Sequence, residues 1–321
     1  MRKWLLGSCM LLISMNAWCW GFFGHRHINY HAIFLLPPEM LIFFKQHADF
    51  LTEHAVDPDK RRYAVTAEAP RHYIDMDRYG KAPYPDLPRK WNEAVGKFSE
   101  DSLNQHGIGP WWIQVMMARL TNSFRAKETS KILRLSAELG HYLADLHVPL
   151  HASSNHNGQH TGQHGIHGFW ESRIPELLAE KNWDFFIGHA SYINDPLAYI
   201  WDRVIESAAA ADTVLRFEKM LSAKYPADQK FSYEDRNGFV IRQYSSGYSQ
   251  AYNTMLNNMI ERRMKLSIYA VASFWYTAWA NAGQPSLKGL TAASPDEATL
   301  KEFTELNLSW QNGNPKGKNC D

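Results

Sequence analysis

The sequence predicts an all-α fold, a single compact domain built from many helices, and three observations indicate it. Apolar residues recur at helical spacing over several long stretches, whereas few segments alternate between polar and apolar residues as strands do. Apolar residues make up 45% and charged residues 21% of the 321 residues, as is typical of a globular chain. No internal repeat or shift in composition divides the chain, so we expect one domain.

Seven stretches carry the helical pattern. The predicted helices span residues 29–36, 38–54, 111–126, 128–147, 170–181, 195–224 and 247–282. Pro37 and Pro38 separate the first two, because proline interrupts a helix but is tolerated in its first turn. Residues 78–91 are rich in Pro, Gly and Tyr, and residues 152–169 are polar and rich in Gly and His, so both stretches predict loops.

The N-terminus has the pattern of a secretory signal peptide. Arg2 and Lys3 form a positively charged start, and an apolar stretch too short to span a bilayer follows them. Ala17 and Cys19 then occupy the small-residue positions of a cleavage site. We expect export to the periplasm or the medium, with Trp20 as the first residue of the mature chain. The alternative is that the apolar stretch remains as a membrane anchor.

The mature chain would be nearly neutral and would contain a single cysteine. Cleavage would remove two basic residues and no acidic residue, so the formal charge would change from +1 to −1. A protein that binds duplexes through many phosphates would instead be basic. Only Cys320 would remain, which excludes an internal disulfide. The chain thus divides into a signal peptide over residues 1–19, a domain over 20–308 and a flexible tail over 309–321.

The predicted helix over 128–147 ends in residue types that bind metals. His141 and Asp145 are four residues apart and therefore face the same side of a helix. Pro149 ends the helix, and His151 follows where the chain can turn back toward that side. Imidazole nitrogen and carboxylate oxygen are both zinc ligands. A helix with an ordinary polar face explains His141 and Asp145 equally well, so the residues alone leave both interpretations open.

The same spacing occurs again in the segment HGFWE, where His167 and Glu171 are four residues apart. The preceding loop contains three more histidines, His156, His160 and His164. We interpret that loop as solvated, with only weak attraction for metals. Upstream, Asp57 in HAVDPDKRR and His72 in RHYID are weak signals individually, because Asp57 could cap a helix and His72 could lie in a core.

Taken in order, these motifs resemble one family. The order is WGxxGH from Trp20 to His25, an Asp, HYID, HxxxDxHxPLH and HxxxE. It is similar to the superfamily that joins bacterial zinc-dependent phospholipase C with the single-strand-specific zinc nucleases. The resemblance covers Trp20 to about Glu171 and, more weakly, the C-terminal helices. It implies an all-helical fold with three zinc ions per chain.

The resemblance also implies a ligand set. Asp57, His72, His141 and Asp145 would hold one zinc ion. His151, His167 and Glu171 would hold the second. The free amine and carbonyl of Trp20, His25 and a bridging oxygen of Asp145 would hold the third. His27, His31 and His147 match no ligand position of the family.

The chemistry that the resemblance implies is hydrolysis of phosphate esters. Zinc ions in such a cluster acidify water and offset the negative charge of the phosphate. Asp57 is the candidate general base. Lys60 or Arg61 could clamp the substrate phosphate, although solvated cations at a helix end are an equally good explanation for both.

The substrate class is predicted from three residues. Tyr73 and Asp75 match the aromatic residue and Asp with which the nucleases bind a base, whereas Glu171 matches the phospholipase. We therefore expect a nuclease or nucleotidase that acts on single-stranded nucleic acid or nucleotides. A phospholipase C that acts on phospholipid is the alternative. A non-catalytic periplasmic zinc-binding protein is a third hypothesis, supported by the His-rich loop but not by the ordered set of mixed ligands.

Overall fold

A computed structural model describes residues 20–236, 238–290, 297–313 and 315–316. It confirms the prediction of a mainly helical, compact fold, since 66% of the described residues are helical and a small two-stranded sheet is present among them. The predicted signal peptide, residues 1–19, lies outside the described residues. Among the helices that are described, none is both long enough and apolar enough to cross a membrane.

The helices follow one another in two runs that are separated by the His-rich loop. The first run is α1 (Phe22–Ile33), α2 (Pro38–Gln46), α3 (Ala48–Glu53), α4 (Asp57–Arg61), α5 (Trp91–Phe98), α6 (Glu100–His106), α7 (Gly109–Ala126) and α8 (Thr129–Asp145). The second run is α9 (Ile166–Gly168), α10 (Ile174–Asn182), α11 (Pro196–Ser222), α12 (Ser246–Met255), α13 (Met259–Asn281) and α14 (Glu297–Asn312).

Shorter elements connect these helices. Single 3-10 turns span His54–Val56, Ala69–His72, Met76–Tyr79 and Pro149–Ala152. A π-helical segment, Phe169–Arg173, joins α9 to α10. One antiparallel hairpin, β1 (Phe231–Arg236) and β2 (Phe239–Tyr244), lies between α11 and α12, with Phe231 opposite Tyr244.

Helix α8 lies in the centre of the molecule, in contact with α1, α3, α7 and α13. Its C-terminal half is buried on every side. A Cβ at Gly140 would collide with the side chain of Asn29, so glycine allows α1 to approach α8 closely. Asn29 Nδ2 uses this approach to donate to the carbonyls of Leu51 (3.2 Å) and Ala137 (3.0 Å). The contact places the N-terminal half of α1 beside the last turns of α8.

Most predicted helices are present, with different boundaries. Helix α1 begins at Phe22 instead of residue 29, and the stretch 38–54 is divided into α2 and α3 at His47. The stretch 247–282 is likewise divided into α12 and α13. Helices α5, α6 and α14 and the hairpin lie where the sequence analysis assigned no element.

The C-terminal region differs from the predicted tail. Helix α14 continues to Asn312, so the predicted boundary at residue 309 falls inside a helix. Beyond it, the Lys316 backbone N–H donates to the carbonyl of Arg62 at 2.8 Å. The Trp310 ring packs 5.2 Å from that of Phe22 on α1. The described part of this region is therefore attached to the domain.

Candidate metal centre

Three groups of buried histidine and acidic side chains can hold metal ions. In each group, one ligand atom of every residue lies within 4.8 Å of the others. The groups are His25–His141–Asp145, Asp59–His72–His141 and His151–His167–Glu171. Every residue of the three groups is at most 3% exposed. The first two groups share His141 and therefore form one continuous site.

Asp145 is the centre of the first two groups because its two oxygens face different histidines. Its Oδ1 lies 3.3 Å from His25 Nε2, whereas its Oδ2 lies 2.9 Å from His72 Nδ1 and 3.3 Å from His141 Nε2. Two ligands of a tetrahedral zinc ion, each about 2.0 Å from the metal, are about 3.3 Å apart. The carboxylate thus stands where it can join two metal positions.

The third group has similar spacing. Glu171 Oε2 lies 3.0 Å from His167 Nε2 and 3.5 Å from His151 Nε2, and the two Nε2 atoms are 3.1 Å apart. His167 and Glu171 are separated by one turn that changes from α to π geometry. Such π-helical turns inside α-helices occur frequently at functional sites.

Backbone carbonyls fix the orientation of three of the histidines. The Nδ1 atoms of His141, His151 and His167 lie 2.8, 2.6 and 3.1 Å from the carbonyl oxygens of Ala55, His72 and His156. A carbonyl only accepts, so each Nδ1 carries the proton and each neutral ring turns the lone pair of Nε2 toward its group. This tautomer is the one that a metal ligand needs.

His72 has the opposite orientation. Its Nδ1 faces Asp145 and His141, and its Nε2 lies 3.6 Å from Oε1 of the fully buried Glu68. Glu68 also accepts from Arg71 Nη1 at 2.6 Å and from the Tyr142 hydroxyl. A carboxylate behind a histidine orients the ring and increases its basicity as a ligand. Glu68 is therefore a positioning residue for His72.

The electrostatic environment of the site favours positive charge at its centre. Burial alone would lower the pKa of His72, but the hydrogen bond with Asp145 and the nearby Glu68 carboxylate outweigh it and raise the pKa to about 9. Burial alone would raise the pKa of Glu68, yet the nearby His72 ring and the charge of Arg61 hold this pKa below the usual range. Burial and the neighbouring His141 lower the pKa of His25 to about 4, which leaves its ring neutral and able to bind a metal.

Asp59 supplies a direct test of whether the residues fit a metal. It is 3% exposed, and neither carboxylate oxygen has a hydrogen-bond partner among the described residues. Its Oδ1 lies 3.6 Å from His141 Nε2 and 3.8 Å from His72 Nδ1. Arg62 Nη1 lies 4.0 Å from the same Oδ1, too far for a hydrogen bond. A buried carboxylate without hydrogen bonds is costly unless cations offset its charge, and a metal ion next to Asp59 would add to the offset from Arg62. The side chains of this site therefore fit a bound metal ion.

Asp59, and not the predicted Asp57, belongs to one of the three groups that can hold a metal ion. Asp57 was predicted as a ligand and as the general base, but it belongs to none of the three groups. Its Oδ2 lies 2.6 Å from His54 Nδ1, and its Oδ1 accepts from Lys60 Nζ at 3.4 Å. Residues two apart on a helix point about 200° away from each other. Only one aspartate of the DPD sequence at the start of α4 can face the histidines.

Trp20 lies beside both of the motifs that pair a histidine with an acid, the one that ends at Asp145 and the one that ends at Glu171. It is fully buried, and its indole Nε1 donates to the carbonyl of Ala144 at 2.8 Å, one residue before Asp145. Its ring lies 5.2 Å from that of Trp170, one residue before Glu171. The predicted start of the mature chain is thus held close to the ligands on both motifs.

The predicted substrate residues are less available. Arg61 donates to Glu138 and lies 3.4 Å from Glu68, so its guanidinium is already paired. Tyr73 and Asp75 are 6% and 4% exposed. A Cβ at Gly107 would lie 2.6 Å from Tyr73 Cδ2, which shows how closely this ring is covered. The structure therefore brings the predicted histidine and acidic ligands together, apart from Asp57. The Trp20 carbonyl, also a predicted ligand, accepts instead from the His25 backbone N–H at 3.2 Å. Tyr73 does not present an open base-binding surface.

A scan against protein-family models finds no match for the chain. A search of curated proteins finds no significant match either. The fold and the site define a mainly helical protein with three buried groups that can hold metal ions. Any narrower classification rests on the motifs and on the chemistry of the site.

Proposed function

We propose that this protein is a zinc-dependent hydrolase of phosphate esters. The observation that carries the proposal is the position of Asp145, whose two oxygens face His25 on one side and His72 with His141 on the other. His151 Nδ1 approaches the His72 carbonyl to 2.6 Å, so the third group is adjacent to the first two. Adjacent metal positions occur in phosphatases and nucleases and also in aminopeptidases. The motifs WGxxGH, HYID and HxxxDxHxPLH favour phosphate esters among these substrates.

Zinc is the metal proposed because the ligands are imidazole and carboxylate, whereas magnesium and calcium prefer oxygen ligands alone. When bound, zinc ions supply Lewis acidity toward a phosphoryl oxygen and lower the pKa of water. The protein residues hold and orient: Glu68 fixes His72, and backbone carbonyls fix His141 and His151. Preorganised ligands of this kind cost no reorganisation during the reaction.

Single-stranded nucleic acid or nucleotides are the proposed substrates, with phospholipid as the alternative. The HYID motif supports the nucleotide substrate, because Tyr73 and Asp75 follow a metal-facing histidine as in the nucleases it resembles. Because Tyr73 is packed against Gly107, a base could stack on it only after a shift of the chain near residue 107. Lys60 and Arg61 contribute as phosphate ligands only if their pairs with Asp57 and Glu138 open.

The N-terminus of the exported chain completes the proposed site. Cleavage before Trp20 would create a free amine, and an amine nitrogen can bind zinc, whereas a peptide nitrogen cannot. His25 and Asp145 Oδ1 are the side-chain ligands proposed to share this ion with Trp20. Extra residues before Trp20 should therefore abolish one equivalent of zinc and most activity, whereas Trp20→Phe should retain both. Full zinc content and full activity in the extended chain would contradict this part of the proposal.

The function is tested with the mature chain, residues 20–321, on three substrates in parallel. A generic aryl phosphodiester, single-stranded DNA and phosphatidylcholine vesicles are each assayed with and without a chelator. We expect the aryl phosphodiester and the single-stranded DNA to be hydrolysed, and we expect the chelator to abolish both reactions. The Asp145→Asn variant should be inactive, whereas the exposed control His189→Gln should be fully active.

The other outcomes of this assay discriminate among the hypotheses. Hydrolysis of phosphatidylcholine without hydrolysis of DNA would identify the phospholipase alternative. Zinc uptake without hydrolysis of any of the three substrates would contradict the enzyme proposal and favour a zinc-binding protein.

A further inference from the structure

A second place where imidazole nitrogens converge lies on α1, outside the three buried groups. His27 and His31, the surface histidine pair, are four residues apart, and their Nε2 atoms are separated by 3.0 Å. Both side chains are partly exposed, whereas the ligands of the buried groups are enclosed. Because His27 is two residues after His25, the two side chains point to opposite sides of the helix.

Aromatic rings hold both imidazoles in place. Phe23 stacks on His27 with ring centroids 5.1 Å apart. Phe185 stacks on His31 and meets His27 edge-on, with both centroid distances at 4.7 Å. Two side chains that are already held with their nitrogens converging lose little conformational entropy when they bind a common ligand.

The geometry suits a metal ion as well as it suits a simple hydrogen bond. Two ligands of a tetrahedral zinc ion are about 3.3 Å apart, close to the separation observed here. His31 lies in the last turn of α1, where the negative end of the helix dipole favours a cation. Without a metal, one Nε2–H would donate to the lone pair of the other ring, and this is the simpler explanation that an experiment must exclude.

We propose that the surface histidine pair binds one additional divalent cation of the zinc–copper class, with water in the remaining coordination positions. Imidazole is a preferred ligand of zinc, copper and nickel. Two protein ligands and a partly exposed position predict weaker binding than in the buried groups, and faster exchange with solution. The proposal goes beyond the proposed hydrolase function and does not depend on it.

The test is a titration of the mature full chain with Zn²⁺ after zinc loading and dialysis. Calorimetry should reveal one further binding event, which dialysis removes, in addition to the ions retained by the buried groups. The His27→Gln and His31→Gln variants should each weaken this event at least tenfold and leave the retained ions unchanged. The double variant of the exposed loop histidines, His160→Gln with His164→Gln, is the matched control and should keep the event.

A second readout uses Cu²⁺ as the probe. Its electron paramagnetic resonance spectrum should show two coupled nitrogens in the wild type and fewer in His31→Gln. Unchanged zinc binding in both pair variants would overturn the proposal, as would loss of the event in the loop control. The ions retained after dialysis report on the buried groups separately, so failure of one assignment does not imply failure of the other.

Discussion

Two segments of this protein carry a histidine and an acid at the same spacing, yet they differ in structure. His141 and Asp145 lie in the buried C-terminal half of the regular helix α8, and Asp145 faces three histidines. His167 and Glu171 lie where α9 passes into a π-helical turn, and Glu171 faces two histidines of a single group. The four-residue spacing therefore places a histidine and an acid on the same side of a helix in both segments. The number of metal groups that the acid can contact depends on the elements packed around it.

The largest effect is expected from comparing the two acids directly. Asp145→Asn should reduce the metal content by two equivalents, because the two metal positions that face this carboxylate would both lose a ligand. Metal binding and folding are linked, and breaking a buried charged pair costs about 3–5 kcal/mol, so Tm should fall by roughly 10 °C. Glu171→Gln should remove one equivalent and lower Tm less. Elemental analysis and calorimetry measure both quantities, and equal losses in the two variants would refute the bridging position of Asp145.

The next prediction compares the metal affinities of variants at Asp57 and Asp59, the two aspartates of α4. Asp59→Asn should reduce the affinity for one metal ion by more than roughly 100-fold, the largest loss typical of residues that only support a ligand. Asp57→Asn should leave metal affinity unchanged, because its carboxylate contacts His54 and Lys60 instead. Competition with a chromophoric chelator gives both affinities. A larger loss in the Asp57 variant would restore the assignment made from sequence.

A smaller loss of metal affinity is expected from a change at Glu68, which contacts His72 on the side away from the metal groups. Glu68→Gln keeps the size of the side chain but removes the charge next to His72, so the affinity of one equivalent should fall about 10–100-fold. Tyr142→Phe removes a hydrogen bond to Glu68 without altering its contact with His72, and it should cost less. The group at Glu171 should bind normally in both variants. Identical affinities in Glu68→Gln and the wild type would show that Glu68 does not position His72.

The smallest effect concerns the outer side of α8, where Arg134 Nη1 donates to Glu302 Oε2 of α14 at 2.9 Å. The hydrogen bond with Arg134 lowers the pKa of Glu302, so this pair contributes stability above the unfolded pKa and loses it as pH falls through the folded pKa. Glu302→Gln should cost less than about 1 kcal/mol at pH 7, because the pair is partly exposed. At pH 3 the difference between variant and wild type should shrink; a constant difference would exclude this linkage.

Sequence spacing predicts which histidine and acidic residues lie together in the candidate metal centre, and the reason is physical. Ligands on one helix, such as His141 and Asp145, are fixed by the period of the helix itself. Asp59 could not be distinguished from Asp57, because the choice depends on where α4 begins and on how it rotates against α8. Glu68 was missed, although its four-residue spacing from His72 was a readable signal. Helix α14 was also missed, although Leu300, Phe303, Leu306 and Trp310 recur at helical spacing.

The substrate side was harder to predict, since it depends on exposure. Tyr73 and Asp75 have the residue types of a base pocket, but the sequence contains no information about Gly107 packing against that ring. Arg61 illustrates the same point, because its partner Glu138 is 77 residues away in the sequence and meets it only in the fold. Local patterns thus predict which residues can bind a metal better than which residues a substrate can reach.

The number of zinc ions in the purified mature chain tests the central claim most directly. Three buried groups, two of them joined by His141 and Asp145, should give three equivalents per chain by elemental analysis after zinc loading and dialysis. The Asp145→Asn variant should retain one. A wild-type content of one equivalent or none would contradict the account, because the buried carboxylates would then have to be stabilised by something other than metal.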